Sequence, residues 1–184
     1  IEKITGIRPE FEEIDLTDGE VTRDFFARHS DIRAVIHFAA LKAVGESVNK
    51  PLEYYFNNLN SLMNVLTCMR EFKVPNLVFS SSCTVYGQAD VLPVTEKTPR
   101  HEAESPYGNT KVMSEDIIRD LMRVEPDMKA LALRYFNPIG AHPTAFIGEL
   151  PNGVPNNLIP YLTQTAIGIR EQLSVFGDDY NTPD

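Results

Sequence analysis

Tyr107 and Lys111 are the pair of residues in this chain whose types and spacing most directly suggest chemistry. Three residues separate them, so on a helix their side chains lie one turn apart on the same face. An unperturbed tyrosine titrates near pH ~10, but a neighbouring ammonium favours the phenolate and lowers that pKa. Tyr107 is therefore a candidate general base for a substrate hydroxyl. The same spacing also arises by chance on helices.

Ser82 adds a third polar group to this pair. It follows the run Asn76 to Phe79, which is apolar in the manner of a buried parallel strand. Ligands of open α/β sheets bind at the carboxyl ends of such strands. The sequence therefore predicts a Ser–Tyr–Lys constellation at a strand end.

Alternating strands and helices are predicted to position these residues. The patterns indicate strands over residues 11–16, 34–40, 76–80, 128–135 and 173–177, and helices over residues 18–29, 49–72, 106–122 and 157–171. Residues 34–40 are continuously apolar, as in a strand covered on both faces. The alternation predicts parallel strands joined by right-handed crossovers, which is a doubly wound α/β sheet.

Composition narrows the class of protein. The chain has 184 residues, a hydrophobic content of 42% and a formal net charge of -9, without a cluster of Lys or Arg. We therefore expect neither nucleic acid nor a membrane as a partner. Cys68 and Cys83 form no disulfide framework or metal motif, so we expect no metal site and a reducing, cytoplasmic setting.

Several other polar residues have ordinary explanations beside functional ones. Asp15 can be a turn former, Lys42 a solvated lysine and Asn58 a surface amide. Asn156 and Asn157, at a predicted helix start, can donate to a phosphate or simply cap the helix. The residues alone leave these alternatives open.

Two motifs carry a family resemblance. FSSSCTVYG followed by SPYGNTK resembles the active-site region of the extended short-chain dehydrogenase/reductase family, whose sheet is Rossmann-like. HFAALKAVGESVNKPLEYY, LRYFNPIGAHP and GVPNNLIPY extend the resemblance, in the same order, to the UDP-hexose 4-epimerases of that family. Ala40 stands where that pattern commonly has glycine, and Cys83 where it has alanine.

The resemblance implies roles for individual residues. Tyr107 would be the catalytic base, Ser82 would hydrogen-bond the reacting hydroxyl, and Lys111 would tune Tyr107. The cofactor NAD would be bound by Asp15, Leu16, Phe38, Ala39, Ala40, Lys42, Asn58, Ser80, Tyr107, Lys111 and Tyr135. The UDP-hexose substrate would be bound by Ser82, Cys83, Thr84, Tyr107, Tyr135, Phe136, Asn137, Asn156, Asn157, Leu158, Ser174, Val175 and Phe176.

The implied activity is the interconversion of UDP-glucose and UDP-galactose by transient oxidation at carbon 4 of the hexose. Three alternatives are another nucleotide-sugar epimerase, a 4,6-dehydratase, and a non-catalytic nucleotide-sugar binding or assembly module. A dehydratase usually has an Asp-Glu pair where Cys83 and Thr84 stand, which favours the epimerase. The resemblance also implies a homodimer formed through helices 49–73 and 106–123.

The extent of the chain suggests an internal segment of a longer protein. No G-x-G-x-x-G or G-x-x-G-x-x-G occurs, although dinucleotide-binding units normally open with one. We expect residues 1–136 to be a partial NAD-binding domain without its first β-α unit. Residues 137–184, dense in Pro, Gly and Asn, would begin the substrate-binding region and lack most of it. We expect this segment alone to be inactive.

Overall fold

A parallel sheet lies at the centre of Phe11–Phe136, one of two compact units in the computed structural model. The structure describes residues 1–151, 153–175, 177 and 179. The second unit combines Ile1–Glu10 with the described residues from Asn137 onward. The assignment of the two units to NAD and to the nucleotide sugar stays a prediction.

The described strands are β1 (Ala34–His37), β2 (Asn76–Ser80) and β3 (Lys129–Leu133), with β2 in the middle. Both strand pairs run parallel. The helices are α1 (Glu2–Thr5), α2 (Gly19–Arg28), α3 (Val44–Asn49), α4 (Pro51–Glu71), α5 (Pro106–Val124) and α6 (Leu158–Ala166), and a short 3₁₀ helix covers Cys83–Tyr86. Of these helices, α1 and α6 belong to the second unit. None of the described helices is both long and apolar enough to cross a bilayer.

Local sequence signals begin the helices that carry the candidate residues. The hydroxyl of Ser105 accepts the backbone N–H of Gly108 at 3.1 Å, and Pro106 occupies the first turn of α5. Both residue types are favoured there, because the first N–H groups of a helix have no partner within it. Asp18 caps α2 in the same way, and Pro51 opens α4.

The hydrophobic core joins β2 to the helices. Leu77 and Phe79 of β2 are each 2% exposed, so the central strand is buried. The core cluster also contains residues of α2, α4 and α5, namely Phe26, Leu62, Val65, Leu66, Cys68, Met69 and Ile118, with Val74 before β2. This packing fixes the positions at which β2 ends and α5 begins.

The predicted α/β fold with a parallel sheet is confirmed, and the predicted bounds of β2 match the structure. β1 and β3 are shorter than predicted and end at His37 and Leu133. α6 is also shorter, ending at Ala166 ahead of Gly168, whose φ of 79° is left-handed. Such a residue terminates helices because the left-handed conformation cannot continue them.

The strand predicted over residues 11–16 is wrong. The backbone carbonyls of Leu16 and of the next residue, Thr17, are bound by side chains of α4 instead of by a neighbouring strand. Asn64 donates to Leu16 at 2.9 Å, and Asn60 donates to Thr17 at 2.8 Å. The strand predicted over residues 173–177 is also absent at 173–175, the described part of its apolar run.

The prediction that residues 34–40 are covered on both faces is wrong as well. Successive side chains of β1 point to opposite faces of the sheet, and only His37 of the strand is buried. Ile36 is 64% exposed and Phe38 is 62% exposed. Sequence periodicity reports apolar character and does not report whether a neighbour is present.

Gly87 ends the 3₁₀ helix in a conformation that depends on glycine. Its φ is 57° and its ψ is -144°, a region that residues with a Cβ rarely adopt. A Cβ at this position would lie 2.6 Å from the carbonyl oxygen of Glu102. Gly87 therefore allows the segment before α5 to lie against the 3₁₀ helix.

Replacement of Gly87 by alanine is expected to destabilise the full-length protein by about 2 kcal/mol, through backbone strain and the clash with Glu102. Gly45→Ala is the matched control, because Gly45 lies in α3 and a Cβ added to it would meet no atom within 4 Å. Alanine there should be neutral or slightly stabilising. Denaturant unfolding of the two variants measures both effects, and equal stabilities would contradict the role of Gly87.

Candidate active site

Consecutive serines at the carboxyl end of β2 bind side chains of α5. The backbone carbonyl of Ser80 accepts a hydrogen bond from the Lys111 ammonium at 2.7 Å. The hydroxyl of Ser81 donates to a carboxylate oxygen of Glu115 at 2.6 Å. Because Lys111 and Glu115 lie one turn apart, these two bonds hold one face of α5 against the strand end.

Ser82 approaches Tyr107 at the same strand end. Its hydroxyl accepts the N–H of Thr84 at 3.2 Å and caps the 3₁₀ helix. The same hydroxyl interacts with the Tyr107 phenol, and this interaction by itself lowers the pKa of the phenol. Gly108 permits this close approach of α5, because a Cβ there would lie 3.3 Å from the Cβ of Thr84.

Lys111 lies between two aromatic rings. Its ammonium nitrogen is 5.7 Å from the centre of the Tyr107 ring and 5.0 Å from that of Phe79. The structure therefore brings Ser82, Tyr107 and Lys111 together, as a Ser–Tyr–Lys site requires. The residues are ordered by β2 and by the first two turns of α5.

Burial controls the titration of this cluster. It lowers the pKa of Lys111 to about 8, so the side chain is still protonated at neutral pH. Burial also raises the pKa of Tyr107 and outweighs the opposite effect of Ser82. The net direction of the Tyr107 pKa shift is therefore opposite to the lowering that the sequence predicts, because burial outweighs the groups that favour the phenolate. The ammonium donates to the Ser80 carbonyl, and no hydrogen bond from it to the phenol is found among the described contacts.

Asn58 holds the predicted cofactor loop to α5. Its amide group donates to the Leu41 carbonyl at 3.0 Å and to the Thr110 hydroxyl at 3.1 Å. Its oxygen accepts the Leu41 N–H at 2.8 Å and the Asn57 amide at 3.0 Å. These four bonds use all the hydrogen-bonding positions of the side chain. Asn58 is 4% exposed, so it is not a surface amide, and its bonds leave no free position for a polar contact with a cofactor.

Four of the predicted cofactor residues line one cavity beside the end of β1. The cavity has a volume of about 500 Å³, and its lining includes Asp15, Leu16, Ala39 and Ala40. The Asp15 carboxylate accepts the N–H and the hydroxyl of Thr17, each at 2.8 Å, and these bonds lower its pKa. An ionised acceptor beside small alanines fits a ligand that carries amino or hydroxyl donors, as NAD does.

Other predicted residues do not line this cavity. Phe38 and Lys42 follow β1 and are exposed. The Tyr135 carbonyl accepts the Cys83 N–H at 2.8 Å, which links the end of β3 to the 3₁₀ helix, and Phe136 is exposed. The residues that belong to the second unit are Asn137, Asn156, Asn157, Leu158, Ser174 and Val175. Phe176 lies outside the described residues.

Asn157 makes a local hydrogen bond within the second unit. It precedes α6, but its side chain makes no capping bond. Its amide donates instead to Glu149 at 3.2 Å. The predicted contacts of the second unit with a UDP-sugar stay predictions.

Sequence reasoning missed Glu115 and Arg134. Arg134 donates from two nitrogens to the two carboxylate oxygens of Glu115, at 2.9 and 2.7 Å. The spacing of Lys111 and Glu115 was an available signal, because both project from the face of α5 that carries Tyr107. Nothing local indicated that Arg134 would meet Glu115, since that contact depends on the order of the strands.

His37, at the end of β1, is a buried group close to the site. It is 4% exposed, and its ring lies parallel to that of Phe79 with 6.1 Å between centres. Burial and the nearby charge of Lys111 lower the pKa of His37 to about 4. The folded protein therefore holds the imidazole in its neutral form.

A proton binds His37 more readily in the unfolded chain than in the folded protein, so His37 should reduce stability as pH falls from about 6.5 towards 4. Between pH 7.5 and pH 5, this effect is on the order of 2 kcal/mol. His37→Phe in the full-length protein should abolish that part of the pH dependence, whereas exposed His142→Asn should retain it. Denaturant unfolding at both pH values measures the difference, and an NMR titration showing a His37 pKa near 6.5 would contradict the prediction.

The chain is similar in sequence to known proteins. The family model described as the NAD dependent epimerase/dehydratase family matches residues 2–182. A curated UDP-glucose 4-epimerase of Mus musculus is 53% identical over 100% of this chain and 53% of its own length. A UDP-glucose 4-epimerase of Yersinia pestis is 50% identical over 100% of this chain and 54% of its own. The chain spans about half the length of the curated relatives it matches.

Solved structures of UDP-glucose 4-epimerases are also similar to this chain. A crystal structure of UDP-glucose 4-epimerase from Bifidobacterium longum in complex with NAD+ and UDP matches with a TM-score of 0.94 and 46% identity. One from Stenotrophomonas maltophila, with bound NAD and formylated UDP-arabinopyranose, matches with a TM-score of 0.92 and 46% identity. Each match covers 100% of this chain and 54% of the solved chain.

Proposed function

Because the chain belongs to the NAD dependent epimerase/dehydratase family, we propose that the full-length protein is an enzyme that interconverts UDP-glucose and UDP-galactose. The observation that carries this proposal is the meeting of Ser82, Tyr107 and Lys111 at the carboxyl end of β2. The similarity to UDP-glucose 4-epimerases over the whole chain supports it further.

As the phenolate, Tyr107 would accept the proton of the hydroxyl on carbon 4 of the hexose, and Ser82 would hold that hydroxyl by a hydrogen bond. Lys111 remains protonated below a pH of about 8, and its charge favours the phenolate once the Tyr107 proton is lost. The oxidised sugar rotates in the site and presents its other face. Tyr107 then returns the proton to the oxygen on carbon 4. The hydroxyl is then restored with inverted configuration, without net oxidation.

NAD is the proposed cofactor, and the chemistry it supplies when bound is reversible oxidation of a sugar carbon. The 500 Å³ cavity beside β1 would hold part of it, with Asp15 accepting donors and Ala39 and Ala40 leaving room for close approach. Lys42, exposed just beyond, would meet a phosphate. Leu16, Phe38, Ser80 and Tyr135 would add contacts, and Asn58 would support the loop.

The proposed substrate is a nucleotide sugar, and its expected contacts begin directly after Ser82. Cys83 and Thr84 follow there, and the Thr84 hydroxyl is buried without a hydrogen-bond partner among the described residues. A substrate hydroxyl would satisfy it. From the second unit, the contributors would be Asn137, Asn156, Asn157, Leu158, Ser174 and Val175, with Phe136 at the end of the first and Phe176 beyond the described positions.

The alternative activities receive less support from the site. A dehydratase needs acid and base groups after the active-site serine, and neither Cys83 nor Thr84 supplies a carboxylate. A non-catalytic module would not require Ser82, Tyr107 and Lys111 to meet. The proposed setting is the cytoplasm, which suits two free cysteine thiols.

We also propose that the full-length protein pairs with a second copy through α4 and α5. Leu52, Phe56 and Met63 lie on α4 and are 82%, 65% and 44% exposed. Their spacing of four and seven residues places them on one face of the helix. The two helices are joined by a hydrogen bond of 2.7 Å from Asn109 to the Tyr55 hydroxyl. A second copy would bury this apolar face.

Tyr107→Phe in the full-length protein should lower kcat for UDP-galactose by roughly 100-fold or more, because the variant lacks the general base. Binding of NAD should persist. Tyr55→Phe, which removes a phenol at the contact of α4 and α5, is the matched control and should retain activity. The assay follows UDP-glucose formation by NMR, which also distinguishes inversion from loss of water. Near-parental turnover by Tyr107→Phe would show that another group acts as the base.

Phe56→Glu should weaken dimerisation of the full-length protein by about 100-fold or more, since it would bury an unpaired charge in the interface. Leu92→Glu, in the exposed segment before α5, makes the same type of change elsewhere and should leave association unchanged. Sedimentation equilibrium over a range of concentrations measures both constants. A monomeric parent, or an unaltered Phe56→Glu dimer, would remove the case for this interface.

A further inference from the structure

Glu115 is a buried carboxylate on α5 that the proposed reaction does not use. It is 9% exposed, yet both of its oxygens have partners. One accepts the Ser81 hydroxyl at 2.6 Å and the Nε of Arg134 at 2.9 Å. The other accepts the Nη2 of Arg134 at 2.7 Å, so the arginine pair is bidentate.

These contacts join three elements at one point. Glu115 lies on α5, Ser81 directly follows β2, and Arg134 directly follows β3. The Arg134 guanidinium also lies 4.9 Å from the centre of the Tyr86 ring on the 3₁₀ helix. Glu115 is therefore bound to the two neighbouring strand ends beside which the reacting groups lie.

The geometry of α5 relates this anchor to the proposed reaction. Lys111 lies one turn before Glu115, and Tyr107 lies two turns before it. Lys111 binds the Ser80 carbonyl, and Glu115 binds the Ser81 hydroxyl. Two consecutive residues at the strand end are therefore bound by side chains from two consecutive turns of the helix. A slide or rotation of α5 that moved Tyr107 from Ser82 would break these bonds.

The charges around Glu115 support an ionised anchor. Burial by itself would raise its pKa, but hydrogen bonds from Arg134 and Ser81 hold the pKa below its usual value. Arg100 adds a positive charge 3.7 Å from the carboxylate. Arg134 is only half-buried, with 23% of its side chain exposed, so removal of the negative charge would leave its guanidinium without a carboxylate partner and free to turn towards solvent.

We propose that Glu115 is a positioning residue, whose bonds to Ser81 and Arg134 set the placement of α5 and thereby of Tyr107 and Lys111 against Ser82. This inference rests on the proposed function, because it assigns Glu115 to the site of that reaction. A residue that only stabilised the fold would alter the unfolding temperature and leave the folded site unchanged.

Asp116 provides a matched control on the same helix. Its carboxylate pairs with Arg100 at 2.7 Å and also with Arg119, but it has no described bond to a strand end. Its side chain is 39% exposed. Asp116→Asn therefore removes an arginine-paired charge one residue away without releasing α5 from β2 or β3.

The test compares Glu115→Gln with Asp116→Asn in the full-length protein, at a temperature well below both unfolding midpoints. Glu115→Gln should lower kcat by about 10- to 100-fold with KM within about twofold, because a small displacement of the reacting groups has effects of this size. Asp116→Asn should change each constant by less than about twofold. The second readout is independent of turnover: the Lys111 pKa, from NMR of lysine-labelled protein, should shift towards 10.5 in Glu115→Gln only.

A lower unfolding temperature with unchanged kcat and unchanged Lys111 titration would overturn the proposal. If Glu115→Gln did not fold, Ser81→Ala would replace it, since that change removes one hydrogen bond and leaves the ion pair. Ser81→Ala should then give the same effects in smaller measure, and parental values of both would overturn the proposal. Failure of the parent to convert UDP-hexoses would count against the proposed function, while the Lys111 titration would still decide whether Glu115 positions α5.

Discussion

The burial of two opposite charges on α5 is the constraint on which the candidate site depends. Lys111 is 4% exposed and Glu115 is 9% exposed, and a buried charge without a partner costs several kcal/mol. Both charges find their partners at the carboxyl ends of β2 and β3. Those partners lie on the sheet, so the observed placement of α5 satisfies both charges, and in this placement Tyr107 lies beside Ser82.

The same burial that orders these groups also determines their proton affinities. The low-dielectric surroundings favour neutral forms, which lowers the pKa of Lys111 and His37 and raises that of Tyr107. A phenol that keeps its proton cannot accept one from a hydroxyl, so the population of the phenolate limits its action as a base. The proposed proton transfer therefore requires a positive charge that stabilises the phenolate, and the Lys111 ammonium lies 5.7 Å from the centre of the Tyr107 ring.

Supporting interactions extend the constraint to the neighbouring cavity. Asn58 connects Leu41, which lines the cavity, to Thr110 in the first turns of α5. The Thr110 hydroxyl in turn donates to the Tyr107 carbonyl at 2.7 Å. A chain of hydrogen bonds thus joins the cavity beside β1, where the cofactor is proposed to bind, to the helix that carries Tyr107. Gly87 and Gly108 make room for the 3₁₀ helix and its neighbours at the same place.

The sequence by itself determined the local elements and indicated the candidate reactive residues. Ser105 and Pro106 indicate the start of α5, the apolar run before Ser80 indicates β2, and the spacing of Tyr107 and Lys111 places both on one face. Such signals are local, because capping, φ restriction and side-chain periodicity act over a few residues. Only the tertiary structure decided that Glu115 meets Arg134 and that burial raises the pKa of Tyr107. Those properties depend on the neighbours of each group in space, and the sequence does not encode them in its spacing.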